Sequence, residues 1–310
     1  MLDWTHLGTC ALTESGPLRC LTIDVEEYFH IEAAHGRVGR DSWDTWPSRV
    51  ERNVDLLLDL LDRHGRRGTF FLLGHVAERR PAMVGRIADA GHEIACHGSG
   101  HDRLHRLDAD SFRADVTACK HRLEDLTGRP VQGYRAPTFS VVPQTAWAID
   151  VLADTGFTYD ASIFPVRHPA YGVPEAPLEP FLVRRGPDGP TLLEVPPLVW
   201  RVGPLSLAVA GGGWFRLLPL IFMRRGLVQA ARHGRPAILY FHPWEFDPGM
   251  PRLPLSRVGR FRTYHGLARS AGRLERIVAR PARWLPVADA LDELRRAAAS
   301  RPVFDLAAAG

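Results

Sequence analysis

Only four cysteines occur in 310 residues, at positions 10, 20, 96 and 119, and no two form a Cys-x-x-Cys pair. That argues against a zinc ribbon and against a dithiol redox motif. Their spacing suggests no disulfide framework, so a reduced, cytoplasmic chain is expected. No apolar run approaches the ~18 residues that would suggest a membrane-spanning helix. The nearest, Trp214 to Met223, is short and carries Arg216 and Pro219. It reads as a buried or groove-lining helix, with peripheral contact at a membrane surface as the alternative. Met1 to Arg19 lacks a cationic start followed by an apolar stretch, so no signal peptide is visible. Gly211-Gly-Gly213 lacks the Lys-Ser/Thr of a phosphate loop and the spacing of a dinucleotide fingerprint, and reads as a close turn before a helix. Internal repeats and linkers are also missing. The formal charge is +4, but the basic residues are mostly Arg and are scattered, so no nucleic-acid partner is expected.

What is present fits one soluble domain. The chain is 45% hydrophobic and 24% charged, and 310 residues lie within the range of an α/β barrel. Strands are expected at 20–25, 69–73, 92–96 and 131–134, and helices at about 50–61, 77–90, 108–126 and 143–154. Ser48 and Glu51 read as a capping box for the first helix. This alternation is the signature of a parallel sheet with crossover helices. Residues 163–190, rich in Pro and Gly, read as an extended insertion. Short strands at 192–195, 198–202 and 205–210 follow, then a helix from 214 to about 233 and a strong buried strand at 237–241. A loop rich in Pro and Arg runs to about 264, with a helix at 266–278 and one more strand–helix unit at 284–299. A catalytic core of about 20–245 with a C-terminal extension of about 246–310 is the expected organisation.

Polar groups gather where the strands end. Asp24 and Glu26 end the first strand, His97 and His101 follow the third, Arg135 the fourth, and His242 the strand at 237–241. In α/β folds sites collect at the carboxyl ends of strands, and four such ends in series point to one pocket. His97 and His101, four apart, can converge if the Gly98-Ser-Gly100 stretch makes a helical turn. Two histidines and a carboxylate leave open positions on a metal, the catalytic type of site. Such an ion polarises a carbonyl and brings the pKa of a bound water to about 7. A second carboxylate can then serve as base and a separate His as acid, which makes a hydrolase for an amide or ester.

These residues also carry a resemblance. Thr22-Ile-Asp-Val-Glu26, His97-Gly-Ser-Gly-His101, Gly133-Tyr-Arg-Ala-Pro137, Tyr159-Asp-Ala-Ser162 and Leu239-Tyr-Phe-His242 resemble, in order, the motifs of the polysaccharide deacetylases of carbohydrate esterase family four, which carry the NodB homology domain. Asp24-Val-Glu-Glu-Tyr-Phe-His30, Arg135-Ala-Pro-Thr-Phe-Ser140, Gly211-Gly-Gly-Trp-Phe-Arg-Leu-Leu-Pro219 and His242-Pro-Trp-Glu245 are most similar to the exosortase-associated members of exopolysaccharide gene clusters. The resemblance implies a distorted (β/α)7-type barrel that removes N-acetyl groups from amino sugars of a polysaccharide or its lipid-linked precursor. It implies Asp24 as base, oriented by Arg135; Glu26, His97 and His101 as ligands of a divalent metal, zinc first and cobalt or another ion as alternatives; and His242 as the acid for the leaving amine. It also implies an oxyanion contact near Thr138. The commonest family pattern has adjacent acids, whereas here Val25 separates Asp24 from Glu26, so their roles can be exchanged.

Further expectations concern the surroundings. Tyr134, Pro137, Thr138, Trp244 and His30 are candidate substrate contacts, with Trp244 a sugar-stacking surface. Glu27 is expected to face away as a surface residue, and Cys96 to be buried. Two readings compete: the same site on a non-sugar amide, and a glycan-binding protein without turnover.

Overall fold

The computed structural model describes residues 16–168 and 171–309 of the chain. Cys10 and most of the segment read for a signal peptide lie outside the described residues.

Among the described residues, seven parallel strands make the frame. They are β1 (Leu18–Val25), β2 (Thr69–Leu72), β3 (Glu93–Cys96), β4 (Gly133–Tyr134), β5 (Tyr159–Asp160), β7 (Leu192–Glu194) and β10 (Ala237–Phe241), in the order β10-β1-β2-β3-β4-β5-β7. β6 (Phe181–Arg184) runs antiparallel to β7 and pairs with β12 (Phe304–Asp305); β11 (Arg283–Trp284) pairs with β1. Between β7 and β10 the seam is joined by single contacts: the Leu198 N–H donates to the Ile238 carbonyl (2.9 Å), and Gly211 bridges Tyr240. This is the expected distorted barrel.

The helices are α1 (Val50–Arg63), α2 (Gly74–Arg79), α3 (Pro81–Asp89), α4 (Ala109–Thr127), α5 (Trp147–Asp154), α6 (Gly212–Leu217), α7 (Leu220–Arg232), α8 (Arg257–Tyr264), α9 (Leu267–Val278) and α10 (Val287–Ala299). The expected helix at 77–90 is two helices, since the residue before Pro81 leaves the helical region. The expected helix at 214–233 is also two, parted at Pro219, which cannot donate a helical hydrogen bond. The loop expected to reach 264 contains α8, and β8 (Val199–Val202) with β9 (Leu205–Ala208) form a separate hairpin.

Strand alternation sorts the side chains into two cores. Leu21, Ile23, Phe70, Leu72, Cys96, Tyr134, Leu239 and Phe241 pack outward against the helices. Cys20, Phe71, Ala95, Tyr159, Leu193 and Ile238 point inward and cluster with Val287, Leu291 and Leu294 of α10. The C-terminal segment thus stops one end of the barrel. The polar residues Asp24, His97, Arg135 and His242 lie at the other end, where the strands finish.

Candidate active site

Thr22 and Asp24 face inward with the same parity, and Glu26 continues that face past the strand end. Arg135, also inward and fully buried, joins them. Its Nη1 donates to Asp24 Oδ1 (2.7 Å) and Thr22 Oγ1 (2.6 Å), its Nε donates to the Ala161 carbonyl (3.0 Å), and its guanidinium lies over the Phe71 ring. Thr22 Oγ1 in turn donates to the Leu239 carbonyl. One buried cation therefore ties β1, β4 and the segment after β5 together beneath Asp24.

Glu26, His97 and His101 bring one ligand atom each to within 4.8 Å of one another. The His97 Nδ1–H donates to the Arg135 carbonyl (2.7 Å), which fixes the tautomer and leaves Nε2 as a lone pair. Burial pushes the His97 imidazole down to about 4, so it is neutral, as a ligand must be. His101 Nε2 stands 2.7 Å from Glu26 Oε2. That oxygen is buried and, among the described residues, meets no polar partner other than His101. Burial alone would raise the Glu26 carboxyl; the His101 and His242 charges outweigh it and hold the group far below the usual carboxylate range. A buried carboxylate whose oxygen gathers with one ring nitrogen from each of two histidines is a donor set that fits a divalent cation. The histidines do not converge through a helical turn: residues 97–103 form a loop, with Gly98 and His101 both left-handed (φ 75° and 57°). Asp115 secures that loop by accepting from the Ser99 N–H.

His242 follows β10. Its Nε2 is 3.8 Å from Asp24 Oδ2 and 3.7 Å from Glu26 Oε1. Burial disfavours its charge, but Glu26, Glu245 and Asp24 together raise it to about 9. The five charged or ligating groups thus share one pocket, with Arg135 below. A cavity of about 200 Å³, lined by His30, Arg40, Trp43 and His101 among others, opens beside it.

The surrounding candidates divide. His30 lines that cavity, with Nδ1 accepting from the Glu27 N–H. Pro137 is buried, and Thr138 and Phe139 take successive left-handed conformations (φ 58° and 50°), a strained turn beside Arg135. Tyr134 does not reach the site: it alternates with Arg135 and packs between Phe112 and Phe157 in the outer core. Trp244 is no open stacking surface. It is 7% exposed, stacks on His242, lies under the Arg216 guanidinium, and donates its indole N–H to Glu26 Oε1 (3.0 Å). Glu27 is not a surface residue. Its carboxylate accepts from the Arg49 N–H (3.0 Å), the Val50 N–H (3.2 Å) and the Ser48 hydroxyl, capping α1 in place of the expected Ser48–Glu51 box. A helix N-terminus favours an anion for its unpaired N–H groups, and one on a neighbouring strand serves as well.

Residues 41–159 match the family described as polysaccharide deacetylase, and residues 161–292 match a domain of unknown function, DUF3473. Over the segment 41–159 the chain is thus similar to the polysaccharide deacetylase family. It is 37% identical over 112 residues to the peptidoglycan deacetylase-like protein FGM2 of Gibberella zeae, covering 36% of this chain and 32% of that protein. It is 35% identical over 95 residues to a peptidoglycan-N-acetylglucosamine deacetylase of Bacillus cereus, covering 30% and 34%. The chain thus spans about a third of the length of these relatives. In fold it is similar to a polysaccharide deacetylase structure from Mycobacterium smegmatis (TM-score 0.62, 23% identity, 92% of this chain and 93% of the other). It is also similar in fold to the structure of PuuE allantoinase (TM-score 0.60, 17% identity, 93% of each). His97, His101 and Arg135 fall in the first matched region and His242 in the second; Asp24 and Glu26 precede both.

Proposed function

We propose that this chain is a metal-dependent hydrolase that removes N-acetyl groups from amino sugars of a glycan. The observation that carries the reading is the convergence of Glu26, His97 and His101 within 4.8 Å, beside Asp24 and His242. A divalent ion held by those three would supply Lewis acidity at the acetyl carbonyl and ease ionisation of a water. Asp24, held by Arg135, accepts the proton of the attacking water. His242 Nε2 delivers a proton to the departing nitrogen, and acetate and the free amine leave. In this reading the turn at Thr138, close in sequence to Arg135, supplies a backbone donor for the developing oxyanion.

The substrate in this reading is an exopolysaccharide or its lipid-linked precursor, which places the work at a membrane surface. Among the described residues no helix is long and apolar enough to cross a membrane. From residue 196 to 274 the acids are Glu245 and Asp247 alone, both buried and paired with Arg216 and Arg49. On α8, Val258 and Phe261 are 68% and 59% exposed, and Arg257, Arg260 and Arg262 flank them. A basic face with exposed apolar side chains suits an anionic lipid surface.

The test is acetate release from N-acetylglucosamine oligomers by the protein as purified, after chelation, and with zinc or cobalt restored. Release lost with chelator and regained with metal is the expected result. No release by folded, metal-loaded protein from these oligomers or from lipid-linked or anionic glycans would overturn it. Sedimentation with vesicles containing phosphatidylglycerol, compared with neutral vesicles, tests the surface. Binding to both alike, or to neither, removes that part of the reading.

A further inference from the structure

Two side chains, Glu245 and Arg216, take no part in the ligand set or in proton transfer yet form one buried chain leading to His242. Glu245, on the 3-10 turn Pro243–Phe246, is fully buried. Its Oε2 accepts from the His242 backbone N–H (3.2 Å) and stands 3.5 Å from His242 Nδ1. Nδ1 is buried and makes no bond of normal geometry to any other group. Glu245 Oε1 accepts from Arg216 Nε (3.0 Å). Arg216 is buried as well. Its Nη1 donates to the carbonyls of Arg262 (2.9 Å), Thr263 (2.8 Å) and His265 (3.1 Å), where α8 meets α9.

The glycine run at the start of α6 makes this reach available. A Cβ on Gly211 would lie 1.6 Å from the Tyr240 carbonyl oxygen, and one on Gly212 would lie 2.7 Å from the Tyr240 hydroxyl. Only backbone without side chains lets α6 begin against β10, one turn before Arg216 and directly behind the strand that delivers His242. Arg and Glu buried together are costly unless fully hydrogen-bonded. Here every partner of Arg216 comes from the region that follows the recognised deacetylase segment.

We propose that Glu245, clamped by Arg216, is the positioning residue of His242: it accepts the Nδ1–H and so turns Nε2, with its proton, toward the leaving nitrogen. Asp160, in the Tyr159–Ser162 motif, does not fill this place. Its carboxylate faces Ser162 and the Glu194 side beneath the barrel end. A 3.5 Å separation without substrate is ordinary for a catalytic contact that tightens on binding. The inference rests on the deacetylase reading, and the test separates the two.

E245Q, E245D, R216K and H242A are compared with the unaltered protein, all metal-loaded, on two substrates. One is an N-acetylated glycan oligomer, whose amine must be protonated to leave. The other is 4-nitrophenyl acetate, whose phenolate leaves without a proton. The expected result for E245Q is a fall in kcat of about 100-fold on the amide, with KM little changed, and a much smaller fall on the ester. E245D restores part of the amide rate, R216K behaves as a weaker E245Q, and the E245Q/H242A pair is no worse than H242A alone. Equal losses on both substrates at unchanged metal content, or additive losses in the pair, overturn the inference. If E245Q does not fold, R216K and E245D carry the same comparison of the two substrates. An unaltered protein inactive on every amide overturns the deacetylase reading itself.

Discussion

Arg135 Nη1 donates to Asp24 Oδ1 over 2.7 Å, and the guanidinium that does so has no contact with solvent. The same nitrogen holds Thr22, and Nε holds the backbone after β5. Removing the cation leaves a buried carboxylate without its partner, which costs about 3–5 kcal/mol in comparable settings. R135M is therefore expected to lower unfolding stability by that order and to cut acetate release at least ~100-fold. R135K keeps a charge but loses the fork and should recover stability more than rate. Denaturant titration and initial rates on each variant check this. An R135M protein as active as the parent would remove Arg135 from the site.

The metal prediction concerns binding alone, apart from turnover. If Glu26, His97 and His101 hold a divalent ion, zinc at 100 times its dissociation constant adds about 2.7 kcal/mol to stability. Thermal unfolding with and without zinc should show that gain in the parent chain. It should be absent in H97Q and much reduced in E26Q. A gain that persists in both variants places the ion elsewhere.

A good part of this arrangement was legible in the sequence, and the reasons are local. Period-two alternation through Thr22, Asp24 and Glu26 put both acids on one face, and the structure keeps them there. The same rule, applied to Tyr134 beside Arg135, would have turned Tyr134 outward, but an aromatic next to a motif residue invited a substrate role. Alternation turns Glu27 away from Asp24 and Glu26, but alternation does not show that this carboxylate is not on the surface and meets the start of α1. The carboxylate that caps it comes from 22 residues upstream and across a loop. Trp244 looked like a sugar platform because sequence shows a ring, not what covers it. The partnership of Arg216 and Glu245 spans 29 positions and rests on a close approach of α6 to β10 that no periodicity reports.

A stability prediction follows from His92, away from the ligand set. Its Nδ1 accepts from the Gly68 N–H (3.0 Å), and burial lowers the imidazole from 6.5 to about 4. The folded group is thus neutral where the unfolded one already binds a proton. Stability is unaffected by this group above pH 6.5 and falls as pH drops from 6.5 toward 4, by up to about 3 kcal/mol. H92Q, which can still accept from Gly68, should flatten that limb of the stability curve. Denaturant midpoints of the parent chain and H92Q between pH 7 and 4.5 measure it. Identical slopes would show that His92 is not the group involved.

Trp244 separates two roles by one atom. Its indole N–H donates to Glu26 Oε1, while its ring contacts both His242 and the Arg216 guanidinium. W244F keeps an aromatic ring and deletes the donor. If Trp244 served as a sugar platform, the phenyl ring would preserve much of that contact and metal affinity would not change. If it fixes the carboxylate of Glu26, metal affinity should fall by about 10- to 100-fold, as for other groups that orient a ligand, with KM for the glycan nearly constant once metal is saturating. Zinc titration followed by unfolding midpoint, together with rates at saturating zinc, reads both quantities. A raised KM with unchanged metal affinity would return Trp244 to the substrate surface. The buried indole, packed against His242 and the Arg216 guanidinium, argues for the other outcome.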